Sequence, residues 1–116
     1  MQVSIADLQA YLTRQYGGWG KEQGLFMKLV EEIGEVAEVL NQRSGSKACD
    51  KADTSVQLAE ELADVIHYAV AIAAVNGLDL NRTILEKDRI ASVKYCHDLN
   101  LEQFLLSRTQ HKNSEC

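Results

Sequence analysis

The chain has 116 residues, 46% hydrophobic and 25% charged, which suits one globular domain with a modest core and excludes a disordered tail. Twelve Lys and Arg against seventeen Asp and Glu leave a formal charge of -5, a poor balance for gripping nucleic acid through counterion release. With no proline and seven glycines, turns are few, so long helices are favoured over a β-sandwich.

The cysteines, Cys49, Cys96 and Cys116, are odd in number and form no CxxC pair, which predicts a reducing compartment. The opening MQVSIADLQAYL has no basic leader before a long apolar run, and the most apolar stretch, AVAIAAVNGL, is too short to span a bilayer. The expectation is a soluble cytoplasmic chain with no membrane or nucleic-acid partner.

In chain order, Ser4 and Asp7 open a first helix carrying Ile5, Leu8, Leu12 and Tyr11 on one face and ending near Gly17-Gly18. A second helix is predicted over 22–42, with Leu25, Phe26, Leu29, Val30, Ile33, Val36, Ala37 and Leu40 as one apolar stripe. RSGSKACDKAD, residues 43–53, reads as a loop. A third helix over 55–75 stops at Asn76-Gly77, and Asp79 caps a fourth that runs to about Tyr95. The tail, 97–116, holds one more short helix. The whole is a single all-α domain, a bundle of four to five helices. From Val65 to Val75 the only polar side chains are His67 and Tyr68, so the third helix needs cover on nearly every side. That predicts a homo-oligomer, dimer or tetramer.

Five acids are informative: Glu31, Glu32 and Glu35 in KLVEEIGEVAEVL, and Glu61 and Asp64 in LAEELADVIHYAV. At about 100° per residue, Glu32 and Glu35 lie about 60° apart beside the apolar stripe, with Val39 between them in angle. Glu61 and Asp64 repeat the arrangement on the third helix, with Tyr68 between them. If the two helices pack antiparallel, four carboxylates converge. Such a cluster repels itself unless protons or cations neutralise it, and all-oxygen ligation suits a hard ion such as Mg²⁺, with Mn²⁺ as a substitute.

EEIGE at 31–35, a helix break, then ELAD at 61–64 resembles the EExxE…ExxD motif of the MazG-like nucleotide pyrophosphohydrolases, over about residues 19–95. The resemblance implies an all-α, oligomeric, Mg²⁺-dependent enzyme. It implies hydrolysis of (deoxy)nucleoside triphosphates to monophosphate and pyrophosphate, as in cleansing of nucleotide pools. By the same resemblance Glu32, Glu35, Glu61 and Asp64 are the metal ligands, and Tyr68 matches a position that faces the base in some relatives. Two departures stand out. Relatives often carry Lys and then Asn four residues later on the last catalytic helix, whereas this chain has Lys87 and Ala91; and Gln42 stands near the place of an aromatic that some relatives have after the first motif.

A metal held there would stabilise charge on phosphate oxygens and lower the pKa of a water, and the reaction expected is in-line attack of that water with pyrophosphate leaving. Glu31 and Glu38 are the candidate proton acceptors, with a solvated surface role as the alternative for Glu31. Lys87 and Lys94, seven apart on one stripe, are candidate phosphate contacts or surface lysines. Lys28, one turn before Glu32, is a further substrate contact or the partner of a carboxylate. Tyr68 and Trp19 are candidates for stacking on a base, Trp19 also for capping the core. His67 points away from Glu61 and Asp64, as a core or interface histidine, and Asn76 is read as ending its helix, with a substrate contact as the alternative. Two other readings stay open. A carboxylate di-iron protein needs two Glu-x-x-His motifs, and the chain offers only Asp64-x-x-His67. A non-catalytic helical oligomerisation or adaptor module would use the apolar third helix but gives no reason for the acidic pairs.

Overall fold

The computed structural model describes residues 1–17, 22–45 and 51–114. It has five helices and no strand among the described residues: α1 Ile5–Tyr16, α2 Glu22–Gly45, α3 Lys51–Val75, α4 Leu80–Lys94 and α5 Leu101–Ser114. The all-α expectation holds. The chain forms two units, Met1–Leu78 and Asp79–Cys116.

In the first unit α3 packs against both α1 and α2. The Ser4 hydroxyl caps α1 by accepting the Asp7 N–H at 3.0 Å, satisfying one of the donors a helix start leaves without a partner. Gly17 ends the helix where an added Cβ would collide with the Thr13 carbonyl oxygen. Leu12 is fully buried, Ile5 and Leu8 half-buried, while Tyr11, assigned to the same face from the sequence, is exposed.

On α2, Leu25, Glu32 and Val39 are buried at intervals of seven, a spacing that returns each to the same side of the helix. Leu29 and Val36 flank that seam. The single apolar stripe expected from the sequence is buried along one edge only: Phe26, Val30, Ile33 and Leu40, on the adjoining flank, are exposed. On α3, Val70, Ala71, Ala73 and Ala74 are buried within one chain, and Leu62 and Ile66 are exposed.

Both α2 and α3 are longer than the sequence predicts. α2 reaches Gly45 and α3 begins at Lys51, so much of the expected 43–54 loop is helical; 46–50 lie outside the described residues. Ser and a single Gly weigh against helix by no more than about 1 kcal/mol each, Arg and Lys favour it, and Arg43 donating to the Ser55 hydroxyl at 3.4 Å ties the end of α2 to α3. α3 ends as expected. The Asn76 amide donates to the Ile72 carbonyl at 2.9 Å, and Gly77 takes φ +63. The Gly77 and Leu78 N–H groups donate to Ala74 and Ala73 carbonyls, a Schellman closure.

In the second unit the Asp79 carboxylate caps α4 through the Arg82 N–H at 3.0 Å. α4 closes with Cys96 at φ 56, a left-handed position filled by a residue other than glycine. α5 is opened by a reciprocal capping box, in which the Asn100 side chain accepts from Gln103 N–H at 2.8 Å and the Gln103 side chain from Asn100 N–H at 2.9 Å. Asp88 on α4 adds a 2.6 Å acceptor for the Leu101 N–H, which gives that acid a structural role. No helix among the described residues is long and apolar enough to cross a membrane.

Candidate metal centre

The heptad seam that buries Leu25 and Val39 also carries Glu32 to the interior, where it is 9% exposed. α3 brings Glu61, half-buried, and Asp64, exposed, to meet it. One carboxylate oxygen from each of Glu32, Glu61 and Asp64 lies within 4.8 Å of the other two. Oxygens on opposite sides of a Mg²⁺-sized ion stand about 4.2 Å apart, given ligand distances of about 2.1 Å. Neighbouring oxygens on such an ion stand about 3.0 Å apart, so the triad would close on one ion by drawing its side chains inward. Glu35, one turn after Glu32 and half-buried, is within hydrogen-bonding range of both Glu61 and Glu32. The four acids that the resemblance names as metal ligands thus meet, without Glu31.

The electrostatics follow from that crowding. The nearby Glu35 carboxyl, then burial, then Glu32 push the Glu61 carboxyl up to about 7 from 4.5. Burial first, and then Glu35 and Asp64, raise Glu32 as well, while Glu61 pulls it partly back. Carboxylates at such range have no donor to share unless one holds a proton. Oε2 of Glu32 and Oε2 of Glu61 are buried with no hydrogen-bond partner. Buried acceptors left without a donor are costly, and a hard divalent cation satisfies both at once. The donor set fits such an ion. It contains no histidine, and His67, which the di-iron reading would need as a ligand, is instead hydrogen-bonded to Tyr16 of α1 at 3.0 Å.

The other sites named from the sequence divide. Glu31 is exposed and pairs with Lys28 at 3.4 Å, so Lys28 does find a carboxylate partner. Glu31 first, and after it Tyr68, hold the Lys28 ammonium above its ordinary value. Tyr68 is half-buried and Glu38 exposed. Lys87 and Lys94 stand on α4 in the second unit, the Lys94 ammonium 5.3 Å from the Tyr95 ring centre. Trp19, Cys49 and Cys116 lie outside the described residues. The sequence reading did not single out Tyr16. The only signal for it was an aromatic closing α1 just before Gly17.

Fold and site together define an all-α domain in which two packed helices bring a cluster of carboxylates together. The chain belongs to the MazG nucleotide pyrophosphohydrolase family, whose domain model matches residues 21–88, including every acid of the cluster. It is 30% identical over 82 residues to the uncharacterised protein YpjD of Bacillus subtilis (strain 168), covering 67% of this chain and 72% of that one. It is 34% identical over 77 residues to dCTP pyrophosphatase 1 of Rattus norvegicus, an alignment spanning 64% of this chain and 45% of the rat protein. The crystal structure of iMazG from Vibrio DAT 722 superposes with a TM-score of 0.61 at 31% identity, covering 80% of this chain and 98% of the other.

Proposed function

We propose that the protein hydrolyses (deoxy)nucleoside triphosphates to the monophosphate and pyrophosphate in a Mg²⁺-dependent reaction, serving to clear unwanted nucleotides from the pool. The observation that carries this reading is the meeting of Glu32, Glu61 and Asp64, with orphaned buried oxygens on two of them, inside the stretch matched by the family. The name of the rat relative, dCTP pyrophosphatase 1, supports a nucleotide substrate.

Glu32, Glu35, Glu61 and Asp64 hold the ion. Bound there, it supplies positive charge to polyphosphate oxygens and acidifies water. Glu31 and Glu38, one turn to either side of Glu35 on α2, are the acids outside that set able to accept the proton of the attacking water. Lys28 exchanges its Glu31 partner for substrate phosphate, the exposed pair being cheap to open. Lys87 and Lys94 are retained as phosphate contacts on their charge and shared stripe. Tyr68 offers its ring to the base. Trp19 is proposed as a second stacking group.

The exposed large apolar residues of α2 and α3, Phe26, Val30, Ile33, Leu40, Leu62 and Ile66, support assembly as a dimer or tetramer, which would take them out of water. They equally suit the adaptor reading, which the acid cluster does not.

Incubation with the common dNTPs and NTPs plus Mg²⁺, with pyrophosphate measured, tests the activity. Release that is lost in Glu35→Gln and Asp64→Asn variants of unchanged helicity is the expected result. A folded protein that turns over no nucleotide overturns the hydrolase reading and favours the adaptor. Light scattering of the purified chain tests the assembly, and a monomer mass at micromolar concentration refutes it.

A further inference from the structure

Three rings outside the acid cluster make two successive contacts, from Tyr16 on α1 through His67 to Tyr68 on α3. The Tyr16 hydroxyl and His67 Nε2 share a part-buried 3.0 Å hydrogen bond between residues 51 apart in sequence. Their ring centres are 5.9 Å apart at 80°. The His67 ring in turn meets Tyr68 edge-on, 4.9 Å apart at 76°. His67 and Tyr68 are neighbours in the chain, so the helix sends them about 100° apart: one toward α1, the other along the Glu61–Asp64 stripe. Side chains on a helix lean toward its N-terminus, which carries the Tyr68 ring over the turn of Asp64.

An imidazole turns easily about its terminal torsion, which has broad rather than sharp minima. Its orientation here is fixed from outside its own helix. Tyr16 supplies that constraint, and α1 is itself anchored a second time, by the Gln9 amide donating to the Leu78 carbonyl. α1 lies outside residues 21–88, the stretch matched by the family domain.

We propose that Tyr16 and His67 are positioning residues for base selection: their hydrogen bond fixes the His67 ring, and that ring, packed edge-to-face on Tyr68, sets the tilt of the phenol ring against which the nucleobase lies. This rests on the reading of Tyr68 as the base-facing wall. Neither Tyr16 nor His67 touches substrate, so the chemical step is untouched when the pair is broken. What changes is how sharply bases are told apart.

The test compares Tyr16→Phe, His67→Leu and Tyr68→Leu with the unaltered protein. Tyr16→Phe deletes one oxygen and leaves the ring that packs on α3. It is expected to narrow the spread of kcat/KM between the best and worst dNTP by about three- to tenfold, the equivalent of an edge-to-face contact. The change should fall on KM, with kcat within about twofold. In a double-mutant cycle, adding Tyr16→Phe to Tyr68→Leu should have no further effect on discrimination, because the hydroxyl acts through that ring. A separate readout needs no turnover. In aromatic carbon–proton NMR spectra the Tyr68 ring signals should move or broaden in Tyr16→Phe. Unchanged base discrimination, additivity with Tyr68→Leu, or unmoved Tyr68 signals each overturn the proposal. Absence of turnover in the unaltered protein fails the hydrolase reading instead, and the NMR comparison still decides this one.

Discussion

Removing divalent cations should invert the usual pH dependence of folding around Glu61. In the folded chain this carboxyl is pushed up to about 7, against 4.5 when unfolded, by Glu35 first and by burial next. A carboxyl raised in this way binds its proton more tightly in the native state. Its contribution is therefore fully present below pH 4.5 and is lost as pH rises through about 7. Midway, near pH 5.75, the native group is about 95% protonated and the unfolded one about 5%, so the native state holds about 0.9 proton more, which fixes the slope. Glu32, also raised, acts in the same direction. The assay is urea unfolding in EDTA at half-unit steps from pH 4.5 to 8, for the unaltered chain and for Glu61→Gln. Other groups titrate in this range, so the difference between the two chains carries the result: its midpoint should shift steadily in favour of Glu61→Gln as pH rises. At pH 7, where Glu61 is half protonated, binding of Mg²⁺ or Mn²⁺ should release about half a proton, measured by calorimetry in two buffers of different ionisation enthalpy. Parallel midpoint curves for the two chains across the whole range refute the argument that the acids crowd one another.

Three further outcomes are expected. Asp64→Asn and Glu32→Gln should each weaken Mn²⁺ binding, followed by calorimetry, by more than the roughly 10–100-fold typical of losing an outer-shell partner, while helicity stays unchanged. Val39→Ala, at a fully buried position on the same seam as Glu32, should destabilise by about 1–3 kcal/mol in denaturant unfolding and carry metal affinity down with it. Asp88→Ala removes the cross-helix acceptor of the Leu101 N–H and should cost about 0.5–2 kcal/mol, with hydrogen exchange quickened in the first turn of α5 and not in α2.

Much of the site was legible because helices convert spacing into direction. Glu32 and Glu35 on one helix, and Glu61 and Asp64 on the next, needed only the 100° rule and an antiparallel pairing to be brought together. Ser4, Asp79 and Asn76-Gly77 marked helix ends by chemistry that acts within a few residues. What escaped was set by other means. Nothing local in RSGSKACDKAD says that its flanks are held helical by neighbouring turns and by Arg43 reaching Ser55. Hydrophobicity alone gave Phe26, Val30, Ile33 and Leu40 the same standing as Leu25 and Val39, although only one side of α2 meets α3. The Tyr16–His67 bond joins residues 51 apart, and the Asp88–Leu101 contact depends on how α5 folds back on α4. No single-helix wheel displays either.

The two solitary oxygens on Glu32 and Glu61 bear on how such a protein can be improved. Placing leucine or methionine there would relieve the mutual repulsion of neighbouring anions and fill the interface with matching apolar volume, giving a sturdier bundle without the oxygens proposed to hold an ion. On the proposed function, heat resistance and hydrolysis therefore compete for the same two side chains. Lineages under thermal pressure have to find their reinforcement elsewhere, in the caps, the core seam or the outer apolar flank, and leave these acids in place.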